Sequence, residues 1–229
     1  MLYIVATPIG NLDDLSIRQA KTLLSSDIIL AEDTRSANIL FDAIKNRFPN
    51  LKSSINDLKI VSYYKEKEFE KLPQVIEWLK EDKIISLISE SGVPLISDPG
   101  YLLVKTVIKE KIPFTVIPGG TAILTAIVHS GFDAKQFMFL GFLPKKESEK
   151  NKLINKLKSI KEILPEMVFV FFESGQRINA TLKLFNDSGW NPYLAICREL
   201  TKKFEEIIRG KADELMDKRF KGEITVIIK

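Results

Sequence analysis

Short apolar runs alternate with amphipathic stretches through the first half of the chain. The apolar runs predict buried strands at residues 2–6, 27–32, 59–64, 83–89 and 113–117. Between them, apolar positions recur every three or four residues, which predicts helices at 14–25, 36–48, 67–80 and 101–111. Strands separated by helices of this kind are typical of βαβ units, so we predict a mostly parallel sheet.

In the second half, the predicted strands follow one another more closely. Helices are predicted at 120–130, 145–163 and 176–188, and strands at 137–143, 167–173 and 193–200. The segments "FEEIIRGK" and "KGEITVIIK" predict two closing strands with a short helix between them. This pattern favours a mixed sheet. We therefore predict an α/β protein of two α/β domains, residues 1–118 and 119–229.

The composition is that of an ordinary globular protein, with 45% hydrophobic and 28% charged residues among 229. The longest apolar runs are about six residues, too short to span a membrane. The start "MLYIVATPIG" has neither the basic flank nor the cleavage site of a signal peptide. With one cysteine, Cys197, and one histidine, His129, we predict no disulfide and no metal site. We expect a cytoplasmic protein without a membrane partner.

Four unusual loops follow predicted strands: "ATPIGNLDDLS", "EDTR", "SESGVPLISDPG" and "PGGTA". In open α/β sheets, ligands bind beyond the carboxyl ends of the strands, so these loops predict a ligand site. Gly92 allows close approach of a backbone, and the helix after Gly119-Gly120 has free N-terminal amides. Plain structural turns are the alternative. The P-loop and G-x-G-x-x-G signatures are absent from the sequence, which disfavours nucleotidases and ordinary Rossmann folds.

These loops, in this order, resemble the class III S-adenosylmethionine-dependent methyltransferases, also called the tetrapyrrole methylase superfamily. Within it, the chain resembles the bacterial ribosomal RNA small subunit methyltransferase I family. The matching stretches are "LYIVATPIGNLDDLSIRQAKTL", "DIILAEDTR", "PLISDPGYLLV", "GFLPKK", "FFES", "RELTKKFEE" and "KGEITVII". They cover nearly the whole chain.

The resemblance implies methylation of the ribose 2′-hydroxyl of a cytidine in the decoding region of 16S rRNA, with S-adenosylmethionine as donor. It also implies a donor cleft between the two domains, 16S rRNA or the small ribosomal subunit as partner, and a homodimer. The net charge of +4 permits a phosphate-rich partner without requiring one.

The resemblance further implies a set of donor-binding residues from both domains. They are Pro8, Ser89, Glu90, Ser91, Gly92, Val93, Ile96, Ser97, Asp98, Thr121, Ala122, Phe172, Cys197, Arg198, Glu199, Leu200, Gly222 and Glu223. A ribose hydroxyl is a poor nucleophile, so a base or a cation would assist it. The candidates are Glu32, Asp33, Asp98 and Glu173 as bases, and Arg35 or Lys202 as a positioning cation.

Several of these residues have structural alternatives. Asp33 or Thr34 is a candidate helix cap, and Glu173 is a candidate partner of Arg177. Arg198 and Glu199 are candidates for pairing across the sheet. The lysine-rich segment 145–162 predicts either a solvated amphipathic helix or a contact with RNA phosphates.

Two other functions stay open at this point. One is a methyltransferase acting on a tetrapyrrole or another small molecule, against which the "TPIGNL" and "AEDTR" loops speak. The other is a non-catalytic RNA-binding relative. Its support is three departures from the family pattern, at Glu90, Val93 and Gly120.

Overall fold

A computed structural model describes residues 1–50 and 58–229 of the chain. It divides into two compact units, Met1–Thr121 and Ala122–Lys229. The predicted boundary between residues 118 and 119 lies close to this division. No helix in the described ranges is both long and apolar enough to cross a membrane.

The first unit contains the predicted parallel sheet. Its strands are β1 (Leu2–Val5), β2 (Ile28–Ala31), β3 (Lys59–Ser62), β4 (Ile85–Ile88) and β5 (Phe114–Ile117). They are arranged in the order β3-β2-β4-β1-β5, and every neighbouring pair is parallel. All residues of β2 and β4 are buried, as expected for central strands covered on both faces.

Helices cover both faces of this sheet. They are α1 (Ile17–Leu24), α2 (Thr34–Arg47), α3 (Lys65–Lys80) and α4 (Tyr101–Lys109), and a 3₁₀ turn spans Leu12–Asp14. Alternate residues of β2 point to opposite faces: Leu30 packs in the cluster that contains α3 and α4 residues, and Ile29 in the cluster that contains α1 and α2 residues. The apolar runs of the sequence are therefore divided between two cores.

Helix α1 begins later than the predicted residue 14. Ser16 is its N-cap, and its hydroxyl accepts from the N–H of Gln19 at 3.1 Å while the Gln19 side chain accepts from the N–H of Ser16 at 2.6 Å. This reciprocal capping box sets the first turn, and the preceding residues form the separate 3₁₀ turn.

The second unit contains the predicted mixed sheet. Its strands are β6 (Phe137–Phe142), β7 (Val168–Ser174), β8 (Tyr193–Arg198), β9 (Glu206–Lys211) and β10 (Glu223–Ile228), in the order β6-β7-β10-β8-β9. Only β6 and β7 are parallel. The helices are α5 (Ala122–Ser130), α6 (Glu147–Ile163), α7 (Ile178–Asp187) and α8 (Ala212–Leu215).

Strand β8 ends at Arg198, before the predicted residue 200. Glu199 and Thr201 have φ values of 50° and 63°, a left-handed backbone that cannot continue a strand. The pairing register places Phe142, Ser174, Arg198, Glu206 and Glu223 at one end of this sheet. We call this end, with the loops that leave or enter it, the distal end of the second sheet.

Candidate functional site

At the carboxyl-terminal edge of the first sheet, the loops after β1 and β4 are joined by backbone hydrogen bonds. The N–H of Thr7 donates to the carbonyl of Gly92 at 2.8 Å, and the N–H of Gly92 donates to the carbonyl of Thr7 at 3.2 Å. The hydroxyls of Thr7 and Ser89 donate to the carbonyls of Ser89 and Gly92, each at 3.3 Å. The two loops therefore form one connected surface.

Gln19 of α1 connects this surface to the loop after β5. Its buried side-chain amide donates from Nε2 to the carbonyl of Ala6 at 2.8 Å. A Cβ added at Gly119 would overlap that amide and lie 2.8 Å from the Cβ of Ala6. Only a residue without a side chain fits there, so Gly119 is required by the close approach of the two loops.

The loop Ser89–Gly100 has an unusual backbone. Four of its residues have positive φ: Gly92 (82°), Leu95 (72°), Ser97 (73°) and Gly100 (120°). Left-handed conformations at non-glycine residues such as Leu95 and Ser97 cost roughly 1 kcal/mol or more each, and they cluster at functional sites. The surrounding structure must therefore hold this loop in shape.

Glu68 of α3 supplies one such anchor. Its carboxylate Oε1 accepts from the N–H groups of Gly100, Leu102 and Leu103 at 3.1, 2.9 and 3.3 Å. Glu68 is buried, and it satisfies free amides at the start of α4. This carboxylate therefore ties the end of the β4 loop to a neighbouring helix.

Three carboxylates lie at the same edge, since Glu32 and Glu90 follow the adjacent strands β2 and β4 and Asp98 lies in the β4 loop. The pKa of Asp98 is raised to about 7, mainly by burial and then by the negative charges of Glu32 and Glu90, against a smaller opposing effect of a Ser89 hydrogen bond. Burial, then Glu90 and Glu66, also raises the pKa of Glu32. A carboxylate whose pKa lies near neutrality is suited to accept a proton.

Asp33 and Arg35 are placed differently. Asp33 is the N-cap of α2, as the structural alternative expects, and its carboxylate accepts from the N–H of Arg35 at 2.7 Å. The Arg35 guanidinium also contacts it, with Nη2 at 2.6 Å from Oδ2. Hydrogen bonds from the Arg35 side chain and backbone lower the pKa of Asp33 to about 2. Such a carboxylate is a weak base.

In the second unit, Glu173 lies in a buried polar network. Its carboxylate accepts from Arg177 Nε at 3.1 Å and from the Thr181 hydroxyl at 2.9 Å, and Lys150 Nζ donates to that hydroxyl at 3.0 Å. Arg177 also donates to the carbonyl of Leu143 at 2.7 Å. This is the pairing that the structural alternative expects, extended by two more residues.

Glu199, Lys202 and Glu223 form a second ionic group, at the distal end of the second sheet. Lys202 Nζ lies 3.4 Å from Glu199 and 2.6 Å from Glu223. The Glu199 carboxylate accepts from the N–H of Glu223 at 2.9 Å, and this bond is the main cause of its lowered pKa. Gly222 has φ of 83°, and a Cβ there would overlap the Glu199 carboxylate.

Phe172 and Arg198 lie on strands of the second sheet, whereas Leu200 follows the end of β8. Arg198 pairs with Glu206 across β8 and β9 at 2.6 Å, as the structural alternative expects. Phe172 contacts the rings of Phe139 and Phe142, with centroids 5.0 and 5.4 Å away. Leu200 is buried.

Cys197 and His129 fit the structural roles expected of them. Cys197 is buried, and burial raises the pKa of its thiol to about 12, so a thiolate nucleophile is disfavoured. His129 lies in the last turn of α5 with Nε2 3.8 Å from a Glu205 oxygen.

The structure thus brings most of the first-unit candidates to one edge, including the β4 loop residues Ser91, Val93, Ile96 and Ser97. Pro8 follows Thr7 and is buried, Thr121 is half-buried at the end of this unit, and Ala122 begins α5 in the second. Sequence reasoning missed Gln19 and Glu68. The S-x-x-Q pattern of a capping box was a signal for Gln19, whereas Glu68 gave none.

Helix α6 uses part of its lysine excess internally. Besides the buried Lys150, Lys158 donates to the carbonyl of Ser188 at 2.9 Å and Lys161 to that of Met167 at 2.8 Å. The body of this helix therefore matches the amphipathic alternative better than a continuous phosphate-binding face.

Comparison with known families defines the class of the protein. Residues 1–216 match the family of Tetrapyrrole (Corrin/Porphyrin) Methylases. Among solved structures, diphthine synthase is similar with a TM-score of 0.71 at 13% identity, covering 100% of this chain and 90% of that one. The cobalamin biosynthetic enzyme cobalt precorrin-4 methyltransferase is similar with a TM-score of 0.65 at 16% identity, covering 99% and 93%. These two similarities show the shared fold.

Curated relatives define the family more narrowly. The Ribosomal RNA small subunit methyltransferase I of Hydrogenobaculum sp. (strain Y04AAS1) is 38% identical, over 99% of this chain and 94% of the relative. The protein of the same name from Thermotoga maritima is 37% identical, over 99% and 97%. That from Bacillus subtilis (strain 168) is 36% identical, over 100% and 74%. Within the tetrapyrrole methylases, the chain therefore belongs to the ribosomal RNA small subunit methyltransferase I family.

Members of this family use S-adenosylmethionine, so the chain is an S-adenosylmethionine-dependent methyltransferase. The residues of the first-sheet edge suit this donor. It carries a positively charged sulfonium, and Glu32, Glu90 and Asp98 form no ion pair within the described ranges, so their charge is available to it. An added Cβ at Gly120 would lie 3.7 Å from the Ile9 side chain, an ordinary van der Waals contact, so packing does not require a glycine at this position.

Proposed function

We propose that the protein transfers a methyl group to the ribose 2′-hydroxyl of a cytidine in the decoding region of 16S rRNA. The names of relatives that match nearly the whole chain support ribosomal RNA as the substrate. The observation that carries the chemistry is the edge of the first sheet, where a strained, anchored loop holds Asp98 with a pKa near neutrality.

Donor-binding roles are proposed for residues of the loops at that edge and for individual residues of the second unit. The proposed residues are Pro8, Ser89, Glu90, Ser91, Gly92, Val93, Ile96, Ser97, Thr121, Ala122, Phe172, Cys197, Arg198, Glu199, Leu200, Gly222 and Glu223. Most of the first-unit contacts are backbone groups held by Thr7, Gln19 and Glu68, so the binding surface is shaped before the donor arrives. When bound, the donor supplies a methyl group already activated by its sulfonium.

Asp98 is the proposed proton acceptor. The 2′-hydroxyl oxygen forms the new bond to the methyl carbon, the bond from that carbon to sulfur breaks, and the hydroxyl proton passes to the Asp98 carboxylate. Burial, together with the negative charges of Glu32 and Glu90, keeps the pKa of Asp98 high enough to take that proton near neutral pH. Asp33, Arg35, Glu173 and Lys202, which are engaged in hydrogen bonds and ion pairs, take structural roles in this proposal.

The direct test maps 2′-O-methylation in the small-subunit RNA of the source organism with and without this gene. Loss of one decoding-region cytidine mark, restored by the gene, supports the proposal. Small subunits from the deletion strain should also accept labelled methyl groups from S-adenosylmethionine when the purified protein is added. An unchanged methylation map, together with no transfer to these subunits, would overturn it.

The proposed assembly is a homodimer that acts on 16S rRNA or on the small ribosomal subunit. Sedimentation equilibrium of the purified protein tests the oligomeric state, and a monomer at micromolar concentration contradicts it. Comparing naked 16S rRNA with isolated small subunits as methyl acceptors identifies the substrate form.

A further inference from the structure

The positive charge of the protein is concentrated in its second unit. Residues 122–229 contain 19 Lys and Arg against 14 Asp and Glu, whereas residues 1–121 contain 15 against 16. The overall charge of +4 therefore has its origin in the second unit. A polyanionic partner is attracted mainly to that unit.

Within that unit, three segments distant in sequence bring exposed cations to the distal end of the second sheet. Residues 143–146 leave β6 there, residues 199–205 connect β8 to β9 there, and residues 216–222 precede β10. Their exposed cations are Lys145, Lys146, Lys203, Lys218, Arg219 and Lys221. We call this set the basic rim.

Contacts confirm where the last of these segments lies. The carbonyl of Lys218 accepts from Asn179 Nδ2 at 2.8 Å, at the start of α7. The carbonyl of Lys221 accepts from Arg198 Nη1 at 3.3 Å, at the end of β8. Both contacts use backbone oxygens, so the cationic ends of these side chains take no part in them.

The acidic residues at this end are largely neutralised by other cations. Glu173 is buried against Arg177, Glu206 pairs with Arg198, and Glu223 pairs with Lys202. Within the described ranges, Lys146 is the one member of the basic rim that forms an ion pair, with Glu149 at 3.8 Å. Asp217 is exposed in the same segment as Lys218, so the rim presents a net excess of positive charge on flexible side chains, which suits a phosphodiester backbone better than a single small anion.

We propose that the basic rim binds the phosphate backbone of the RNA substrate. The proposal rests on the proposed function for the identity of that RNA, and it names the surface that holds it. Lysine and arginine contacts of this kind give affinity and position without reading bases. Sequence selection is then left to the groups near the reacting nucleotide.

The test measures the binding of a fluorescently labelled, unmodified 16S rRNA transcript to the full-length protein from about 50 to about 200 mM salt. The rim variant is K218Q/R219Q/K221Q, and a second variant, K145Q/K146Q, removes cations from a different segment. The matched control is K152Q/K156Q/K183Q, which neutralises three exposed lysines on the bodies of α6 and α7. Thermal melts establish that all variants are folded.

For the first rim variant we expect the slope of log affinity against log salt to become shallower by about 2 to 3, and affinity at low salt to fall at least about tenfold. The second variant should lower the slope by about 1 to 2. The control should keep the slope within about 0.5 of the unmodified protein, and donor affinity should stay unchanged in all three.

The proposal is overturned if both rim variants keep the salt slope of the unmodified protein. It is also overturned if the control variant loses as much of that slope as the rim variants do. A protein that does not bind the transcript at all, or one that prefers vesicles of anionic phospholipid, overturns it as well. The proposed function can fail separately. If the protein binds RNA through the rim but transfers no methyl group, the rim proposal is supported and the proposed methyltransferase activity is rejected.

Discussion

At the edge of the first sheet, Glu32 and Asp98 form no ion pair in the described part of the chain, and burial together with like charge raises the pKa of both. At the distal end of the second sheet, Glu173 and Glu223 each have a cationic nitrogen close by, at 3.1 and 2.6 Å. Both regions follow strand ends and both are rich in carboxylates. They differ in whether the charge is left available or is used to hold the fold together.

The same contrast separates the candidate residues into two roles. A carboxylate that accepts hydrogen bonds from a guanidinium and a hydroxyl has few free lone pairs, and it contributes to the stability of the folded protein. A carboxylate that is partly desolvated beside other acids is costly to keep charged, and this cost is what makes it a useful base. We expect substitutions of Glu32 and Asp98 to change activity, and substitution of the buried, ion-paired Glu173 to change stability.

The largest expected effect on activity is that of Asp98→Asn. If Asp98 accepts the hydroxyl proton, methyl transfer should fall about 10²- to 10⁴-fold while donor affinity, measured by calorimetry, changes much less. The rate for the unmodified protein should rise with pH through about 7 and level off above, because the carboxylate must be deprotonated. Glu90→Gln should move this profile to lower pH by removing a like charge. A rate within threefold of normal for Asp98→Asn would refute the assignment.

The same substitution should raise stability. The pKa of Asp98 is about 7 in the folded protein against an ordinary 3.8, so the folded state binds more protons between about pH 4 and pH 7 and loses stability as pH rises through that window. Asp98→Asn removes this penalty. Urea unfolding should show a gain of about 1–2 kcal/mol at pH 8, after allowance for solvent screening, and no gain at pH 3.

Glu173→Ala should have the largest effect on stability. It leaves Arg177 without its carboxylate and removes the acceptor of the Thr181 hydroxyl to which Lys150 donates, and the expected loss is about 3–5 kcal/mol in the free energy of unfolding. Glu206→Ala is the matched control, since it breaks a partly exposed pair with Arg198 and should cost less than about 1 kcal/mol. Normal stability with lost methyl transfer would instead make Glu173 part of the chemistry.

Gly119→Ala tests the contact between the loops of the first sheet. The added methyl group would lie against Ala6 and overlap the amide of Gln19, so we expect a loss of about 1–3 kcal/mol and weaker donor binding. Gly120→Ala is the control, because its nearest atoms are at an ordinary 3.7 Å. Adding Gln19→Ala to Gly119→Ala should recover part of the loss, and a further loss would disprove this packing.

The smallest of these effects is expected for Glu68→Gln. The amide oxygen can still accept from the start of α4, but without a charge, so we expect a loss of about 1 kcal/mol in thermal unfolding and a few-fold weaker donor binding. Glu70→Gln, exposed on the same helix, should stay within about 0.5 kcal/mol of the unmodified protein. Unchanged donor affinity for both would mean that the β4 loop keeps its shape without this anchor.

The sequence by itself predicted the two α/β units and the nature of each sheet. Apolar runs such as residues 83–89 identify buried strands, because a strand covered on both faces has no polar face to alternate with. Local motifs also determine where helices begin, since the Ser16 capping box and the Asp33 cap act over three residues or fewer. Buried strands and helix caps depend on residues that are close together in the chain, so they can be predicted from the sequence.

The family motifs likewise identified the loops at the edge of the first sheet and included Glu32 and Asp98 among the candidates. They could not rank Asp98 above Asp33, because the difference lies in surroundings that motifs do not encode. Asp33 contacts Arg35 two residues away, whereas the partly buried Asp98 lies near Glu32 of another loop and Glu90 of its own loop.

Only the tertiary structure decided which charges are available and which are paired. Glu68 meets the start of α4 more than thirty residues away, and the basic rim joins cations from three separate segments. A pKa or a surface potential depends on distances between side chains that are remote in sequence, and on how far water is excluded from them. The pattern of residues specified the elements, and their packing determined the chemistry available at each sheet end.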